Sequence, residues 1–392
     1  MPTPGRLVTA SHSPPGAAAR SSAARRPLPP RLGRWRRARR VAWTAVAMCL
    51  VPVVISFGTT LAGPSNSSVT IRAFEWLRDH GAATIASQIE SAYYTLNAPS
   101  TGGPALHALP LQAKTVAAVH PGDIAPLITP SLPGEGVWVP TETWSGSSPP
   151  VQIAQFRSDP LYPQMVAGVA WIDPRRTSIV LYPGQLEPSV MLPRGPMEVP
   201  PALRSRLLAT FNSGFKLSDA RGGFALDGIQ YAPLIPGMAT FEHYRDGRVD
   251  IQAWPAGLSS SRLPAGMDYA RQNLPLIVSG GRPNPNLTDG PEWGATLGNA
   301  VRVWRSGIGI DAHGNLVYAA ANDQTVGSLA EILIRAGAIR AMQLDINSYW
   351  TTFNSYAQPD AGSPSSLLPT MTRPATRYLT VDDRDFFAVY LR

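Results

Sequence analysis

Residues 41–62, VAWTAVAMCLVPVVISFGTTLA, run for 22 residues without a charged side chain. As a helix rising ~1.5 Å per residue, this run crosses the ~30 Å hydrocarbon core of a bilayer. It constrains the chain more than any other feature, because the segments before and after it then belong to opposite sides of a membrane. RLGRWRRARR at 31–40 sets the direction, since Arg and Lys are retained on the cytoplasmic side. Residues 1–40 are expected to form a basic cytoplasmic tail, and everything beyond 62 to lie outside. A cleaved signal peptide, with TTLAG at 59–63 as the small-residue cleavage region, and a buried core helix are the competing readings. The long leader and long apolar run favour an uncleaved single-pass anchor. If cleaved, the remainder is secreted. The only cysteine, Cys49, lies within this run, so no disulfide can form within the chain.

The net charge of +8 belongs to one end of the molecule. Ten of the 34 basic residues are arginines within 1–40, which hold no acid, so the remaining 24 face 26 acidic residues. A slightly acidic globular part has no electrostatic reason to gather phosphate backbones, and no nucleic-acid partner is expected.

Beyond the anchor, residues 63–96 read as a helical stalk packed on the main domain. Ile71, Phe74 and Leu77, then Ile85, Ile89 and Tyr93, recur at spacings of three and four around a break at Gly81. Residues 97–150, rich in Pro, Gly, Ser and Thr, read as a linker that becomes a wrapped arm near GVWVP at 136–140. From 151 to 392 short strand-like runs dominate. VQIAQF, VAGVAWI and TSIVLY suggest a meander, and MATFEHY and RVDIQAW flank an Arg245-Asp246-Gly247 hairpin turn. The convincing helix is GSLAEILIRAG at 327–337, with Ser328 as its cap, Glu331 completing a capping box and Gly337 as its stop. IRAMQLD at 339–345 then reads as a buried strand, and DFFAVYL at 385–391 as a last one. Strands outnumber helices, so the fold class is α+β with a mixed, mostly antiparallel sheet.

In that order Asp345 closes a buried strand returning from a helix, where a polar group can face a cleft while the strand fixes its position. ATFNSGF at 209–215, RSGIGID at 305–311, HGNLVY at 313–318 and the helix and strand of 326–345 resemble, in the same order, segments of the phosphodiester glycosidases, whose bacterial members include an exopolysaccharide-related branch. The resemblance covers about residues 205–390. It implies a hydrolase of glycosyl phosphodiesters in envelope or exopolysaccharide glycans, with Asp345, Arg305 and Asn212 as catalytic residues and Gly214, Asn347, Asp311, Tyr349 and Trp350 around the substrate. The family's Asp-Gly-Gly-Gly-Ser is here Asp345-Ile346-Asn347-Ser348-Tyr349, so the glycine cradle that brings backbone N–H groups to a ligand is absent. That departure favours the other reading, a catalytically silent glycan-binding or scaffold protein on the same fold.

Cleaving a sugar–O–phosphate bond builds positive charge on the ring and negative charge on a leaving phosphomonoester. A permanently charged planar guanidinium suits the phosphate, and a carboxylate suits the sugar as stabiliser, nucleophile or water-activating base. Each residue also has a plainer role: Arg305 as an ion pair, Asn212 as the positive-φ residue of a turn, Asp311 as a hairpin former. Gly222 and Gly223 are read as an anion-binding nest or a bulge, and Asp382-Asp383-Arg384-Asp385 as a solvated acidic turn. His243 and His313 have no metal-ligand spacing, and no metal or cofactor is expected. Nucleotide-binding loops, serine nucleophile elbows and zinc-protease helices are absent from the sequence.

Overall fold

A computed structural model describes residues 32–82, 88, 96–110, 121–141, 149–257, 263–294, 296, 300–358 and 361–392. The tail up to residue 31, the second stalk helix around Ile85, Ile89 and Tyr93, and parts of the 97–150 linker lie outside the described residues. The chain divides into two compact units, Met1–Ser56 and Phe57–Arg392.

The first unit holds most of α1 (Leu32–Ala62), of which Trp35–Ala62 is long and apolar enough to cross a membrane. Its apolar side chains are exposed, Trp43, Met48 and Val54 each by about two thirds (67%, 66% and 65%). Pro52 lies inside the helix.

In the second unit α2 (Val69–Leu77) starts at Ser68, whose hydroxyl accepts from the Ile71 N–H. It ends in a turn through Gly81 at φ +95°, the break that the glycine announced. The helix is packed on the sheet domain. Trp76 is buried, and Lys216 bonds Glu75 at 2.7 Å and Asp79 at 2.8 Å.

Among the described residues all strand pairings are antiparallel and form three sheets. The largest has eight strands in the order β1 (Val139–Pro140), β2 (Val151–Arg157), β3 (Val166–Ile172), β14 (Leu316–Gln324), β13 (Val303–Asp311), β15 (Ala338–Gln343), β11 (Leu276–Ser279) and β12 (Arg282–Pro283). A second orders β7 (Ile229–Ala232), β6 (Phe224–Leu226), β10 (Met267–Gln272), β8 (Ala239–Tyr244) and β9 (Val249–Ala253). The third orders β17 (Gly362–Ser366), β16 (Phe353–Ala357), β5 (Leu207–Asn212), β18 (Phe386–Leu391) and β4 (Thr177–Tyr182).

One face of the large sheet, with Ile308, Tyr318 and Met342, shares the main core with Phe241 and Tyr269 of the second sheet and Phe211 and Phe387 of the third. Its other face packs on α3 (Val326–Arg335) and on the arm through Ile124 and Trp138. Gly307 and Gly309 lie on this side. A Cβ on Gly307 would meet Leu333 inside contact distance, so the bare backbone is what lets α3 lie so close.

The expected meander does not form. β2 and β3 pair, but β4 leaves for the third sheet and pairs with β18, from Thr177↔Leu391 to Tyr182↔Phe386. The 173–176 turn carries the chain across the core, which places Ile179 and Leu181 opposite Ile172 instead of beside it. α3 begins one residue before the expected 327, and its cap lies three residues before the expected Ser328. Thr325 is the cap, and Ser328 returns the second bond of the box at 2.9 Å, leaving Glu331 exposed. The arm is fastened by a buried pair, Arg157 Nη2 on Glu135 at 2.7 Å.

Candidate active site

β15 does not stop sharply at Gln343. The Leu344 N–H donates to the Ser306 carbonyl at 2.8 Å and the Ser306 N–H to the Asp345 carbonyl at 3.1 Å, so sheet pairing continues up to the acid. The Ser306 hydroxyl adds a bond to that carbonyl at 2.7 Å. Asp345 therefore leaves a clamped strand end. Its carboxylate is held at two points: Oδ1 accepts the Asn347 N–H at 2.9 Å, and Oδ2 accepts Arg384 Nη2 at 2.7 Å.

This pair lies on a cavity of about 830 Å³, whose wall includes Arg78, Lys216, Arg221, Asp345, Trp350 and Arg384. Burial raises the Asp345 carboxyl above the ordinary carboxylate range, and Arg384 and the Asn347 N–H offset this only in part. For Arg384, burial pulls downward, but Asp345 and the more distant Glu187, Glu75 and Asp385 outweigh it, so the guanidinium is held charged. Its plane faces the Trp350 ring at 5.2 Å, Nη2 also donates to the Gly214 carbonyl at 3.2 Å, and buried Nε has no partner among the described residues. The site thus joins a carboxyl of raised proton affinity to a fixed cation with an unused N–H.

The three segments of the sequence resemblance do meet. Asn212 at the end of β5 donates to the Ser306 hydroxyl at 3.0 Å, and Ser306 holds Asp345. Their side chains do not converge on one space. Arg305 leaves β13 on the α3 side, donating to the Gln324 carbonyl at 2.9 Å, the Trp293 carbonyl at 3.1 Å and Gln343 Oε1 at 2.7 Å. It does not line the cavity and forms no ion pair among the described residues; burial lowers its pKa to about 10. Strand alternation is the reason, since Ser306, one residue on, takes the face toward Asn212.

Asn212 is no turn residue. Its amide lies in the core, donating also to the Ser213 carbonyl and accepting from the Tyr318 hydroxyl and the Thr352 N–H at 2.9 and 3.0 Å. Asp311 is the hairpin former, accepting the His313 and Asn315 N–H groups at 2.8 Å, and lies off the cavity. Of the expected substrate residues, Asn347 and Trp350 line the cavity. Gly214 touches it through its carbonyl bond to Arg384, while the Tyr349 hydroxyl accepts from the Ser68 N–H at 3.3 Å.

The residues that sequence reasoning missed are Arg384, Lys216 and Arg78. The Asp382–Asp385 turn is not solvated: Asp382 is 0%, Arg384 6% and Asp385 1% exposed. Asp382 pairs with Arg377, five residues before it, at 2.7 Å, whereas the partners of the others are distant: Arg271 for Asp385 at 2.8 Å, Asp345 for Arg384 and the Ser65 hydroxyl for Asp383. Four charges set directly before the apolar FFAVYL strand were the available signal. Gly222 and Gly223 form no nest; Gly223 exchanges bonds with Gln272, and a Cβ there would strike the Pro233 carbonyl.

No protein-family model matches the chain, and no curated protein sequence matches it. Among solved structures it is similar to a hypothetical protein from Synechocystis, at 15% identity and TM-score 0.39 over 63% of each chain. It is also similar to the zebrafish N-acetylglucosamine-1-phosphodiester alpha-N-acetylglucosaminidase catalytic domain auto-inhibited by pro-peptide, at 15% identity and TM-score 0.41 over 65% of this chain and 88% of that one. A putative exported protein from Burkholderia pseudomallei is similar at 13% identity and TM-score 0.30, over 58% and 74%. The chain therefore spans under two thirds of the Synechocystis protein's length, and all three likenesses are distant ones.

Proposed function

We propose that the protein is a membrane-anchored extracytoplasmic hydrolase of glycosyl phosphodiesters, with Asp345 and Arg384 as its catalytic pair. The observation that carries the reading is the carboxyl–guanidinium contact of 2.7 Å set in a cavity whose other charges, Arg78, Lys216 and Arg221 against Asp79, Asp219 and Glu292, balance. The sequence resemblance of 209–215, 305–311 and 326–345 supports it, since those segments meet at Ser306 and Asp345.

In the hydrolysis, the bond between the anomeric carbon and the phosphate oxygen breaks with its electron pair going to the phosphomonoester. Water gives its hydroxyl to the carbon and its proton to the monoester or solvent. The monoester's second pKa is about 6, so it departs without a strong general acid. Arg384 takes the role first expected of Arg305, holding phosphate oxygens and stabilising the charge that develops there. Asp345 stabilises the sugar's positive centre, attacks it or activates water. Trp350 offers an aromatic surface beside the pair.

The alternative, a glycan-binding protein without turnover, is favoured by one observation: both Asp345 oxygens are already engaged, and Lys216 is neutralised by Glu75 and Asp79. Turnover of a panel of glycosyl phosphodiesters by the full chain separates the two. The hydrolase reading expects Asp345→Asn and Arg384→Ala each to lower kcat/KM by about 10²–10⁴-fold. Glycan affinity without turnover in the unmodified chain establishes the alternative.

A further inference from the structure

The Arg384 guanidinium is fastened at one nitrogen. Nη2 donates to Asp345 Oδ2 at 2.7 Å and to the Gly214 carbonyl at 3.2 Å, whereas the buried Nε has no partner among the described residues. Two bonds from one atom fix that atom and leave the flat group free to turn about it. A guanidinium donates in its own plane, so a residue that is to hold phosphate oxygens needs that plane set as well.

Trp350 is built into the turn that starts at Asp345. The Trp350 and Thr351 N–H groups donate to the Asn347 carbonyl at 3.0 and 2.9 Å, and the Thr351 hydroxyl donates back to the Asp345 carbonyl at 3.2 Å. Around its ring lie the guanidinium carbons of Arg377, Arg384 and Arg373, at 5.1, 5.2 and 5.7 Å from the centroid. An indole face attracts cations, most strongly where water is excluded, and these arginines are 1%, 6% and 5% exposed. Two of them are fixed on their own account. Arg377 spends Nε and Nη2 on Asp382 and Nη1 on the Trp350 carbonyl and the Thr352 hydroxyl. Arg373 lies 3.7 Å from Asp382 and donates to the Asn66 amide oxygen. Asn66 is itself held, its amide donating to the Arg377 carbonyl at 2.6 Å and its N–H to the Val381 carbonyl at 3.0 Å. Arg377 and Arg373 therefore hold the indole, and Arg384 is the cation left for the indole to orient.

We infer that Trp350 is a positioning residue whose ring sets the plane of the Arg384 guanidinium, so that Nη2 meets Asp345 while Nε is kept for a substrate phosphate oxygen. This rests on the hydrolytic reading of the Asp345–Arg384 site. It replaces the stacking role expected of Trp350 on the sugar. A stacked sugar needs an open ring face, and Trp350, although it lines the cavity, is 4% exposed.

The test is a double-mutant cycle in the full chain, with methyl glucosyl phosphate and methyl N-acetylglucosaminyl phosphate as probes. Trp350→Leu, which keeps an apolar side chain without a ring, is expected to lower kcat about 10²-fold and to leave KM within about threefold. Trp350→Phe is expected to recover most of the loss. Because the effect passes through Arg384, adding Trp350→Leu to Arg384→Met is expected to lower kcat no further. A carbon-13 titration of the Asp345 carboxyl, assigned with Asp345→Asn, needs no substrate. Trp350→Leu is expected to raise the Asp345 pKa by about one pH unit as its cation swings away, while Arg78, Glu75 and the Asn347 N–H, the other groups acting on it, stay in place. Trp350→Met takes the place of Trp350→Leu should the latter fail to fold. A raised KM with kcat kept, or a loss that multiplies with that of Arg384→Met, overturns the inference and leaves the hydrolase standing. If the unmodified chain turns over neither probe nor any other glycosyl phosphodiester, the hydrolase reading falls and the titration decides alone: an Asp345 pKa unmoved by Trp350→Leu overturns the positioning role, and a raised one upholds it.

Discussion

Asp345 is gripped by one backbone N–H and one guanidinium, and its burial still leaves it readier to take a proton than an exposed aspartate. A carboxylate that must be ionised to work then loses activity on acidification at a pH above the ordinary aspartate range. The acid limb of kcat/KM is expected there, and a limb unchanged in Asp345→Asn would remove Asp345 from the chemistry. Arg305→Met separates the two arginines. It takes the arginine donor from the Gln324 carbonyl and from Gln343 Oε1, while the Trp293 carbonyl keeps Gln343 Nε2, a cost of about 1–3 kcal/mol each in thermal or denaturant unfolding, and kcat stays near that of the unmodified chain. Arg384→Met is expected to lower kcat as well as stability, because it also leaves the buried Asp345 carboxylate without its cation. The position of Asp345 at a strand end was legible, because the helix before it and the apolar run leading to it are local signals. Its partner was not, because Arg384 lies 39 residues on, inside a run that reads as surface charge.

At the scale of elements, local chemistry was read well and long-range pairing was not. Asp246-Gly247 marks its hairpin because Gly247 takes φ +84°. Nothing inside TSIVLY tells that its partner lies about 200 residues away in β18. The capping box was read with its members displaced, since Thr325 and Ser328 can both serve as caps and only the end of β14 decides between them. α2 was recognised by its spacing, but its grip on the domain depends on Lys216. Burial pushes Glu75 up, yet Arg78 and Lys216 outweigh it and hold its carboxyl below the ordinary range. A depressed folded-state pKa contributes stability that is whole above the unfolded value and lost as pH falls through the folded one. Docking of α2 is therefore expected to be complete at neutral pH and to weaken below the usual glutamate range. Glu75→Gln should speed amide exchange across 69–77 at pH 7, by an opening free energy smaller by about 1.5–3 kcal/mol; equal exchange in both proteins would show that α2 is held by packing alone.

Across the whole molecule, the aromatic residues of the two smaller sheets meet at Phe387. Its ring lies 5.0 Å from Phe211 in its own sheet and 4.7 Å from Phe241 in the next. Phe387→Ala is expected to cost about 3–5 kcal/mol and to lower the midpoint of unfolding for all three sheets together. Two separate transitions would mean that the sheets do not share one cooperative core. The α+β class and the sheet-dominated domain were legible in short, β-branched runs. The division into three sheets was not, because it depends on which face of each run meets which other across the core.

The fastening of Asn66 to Arg377 and Val381 joins points 311 and 315 residues apart. The collar of the anchor therefore leaves the ribosome well before its binding site exists, a wait of roughly 15–60 s at 5–20 residues per second. Until residues 377–381 have been made, Asn66 has nothing to bond there, and any ribosome stall before residue 377 leaves that joint open.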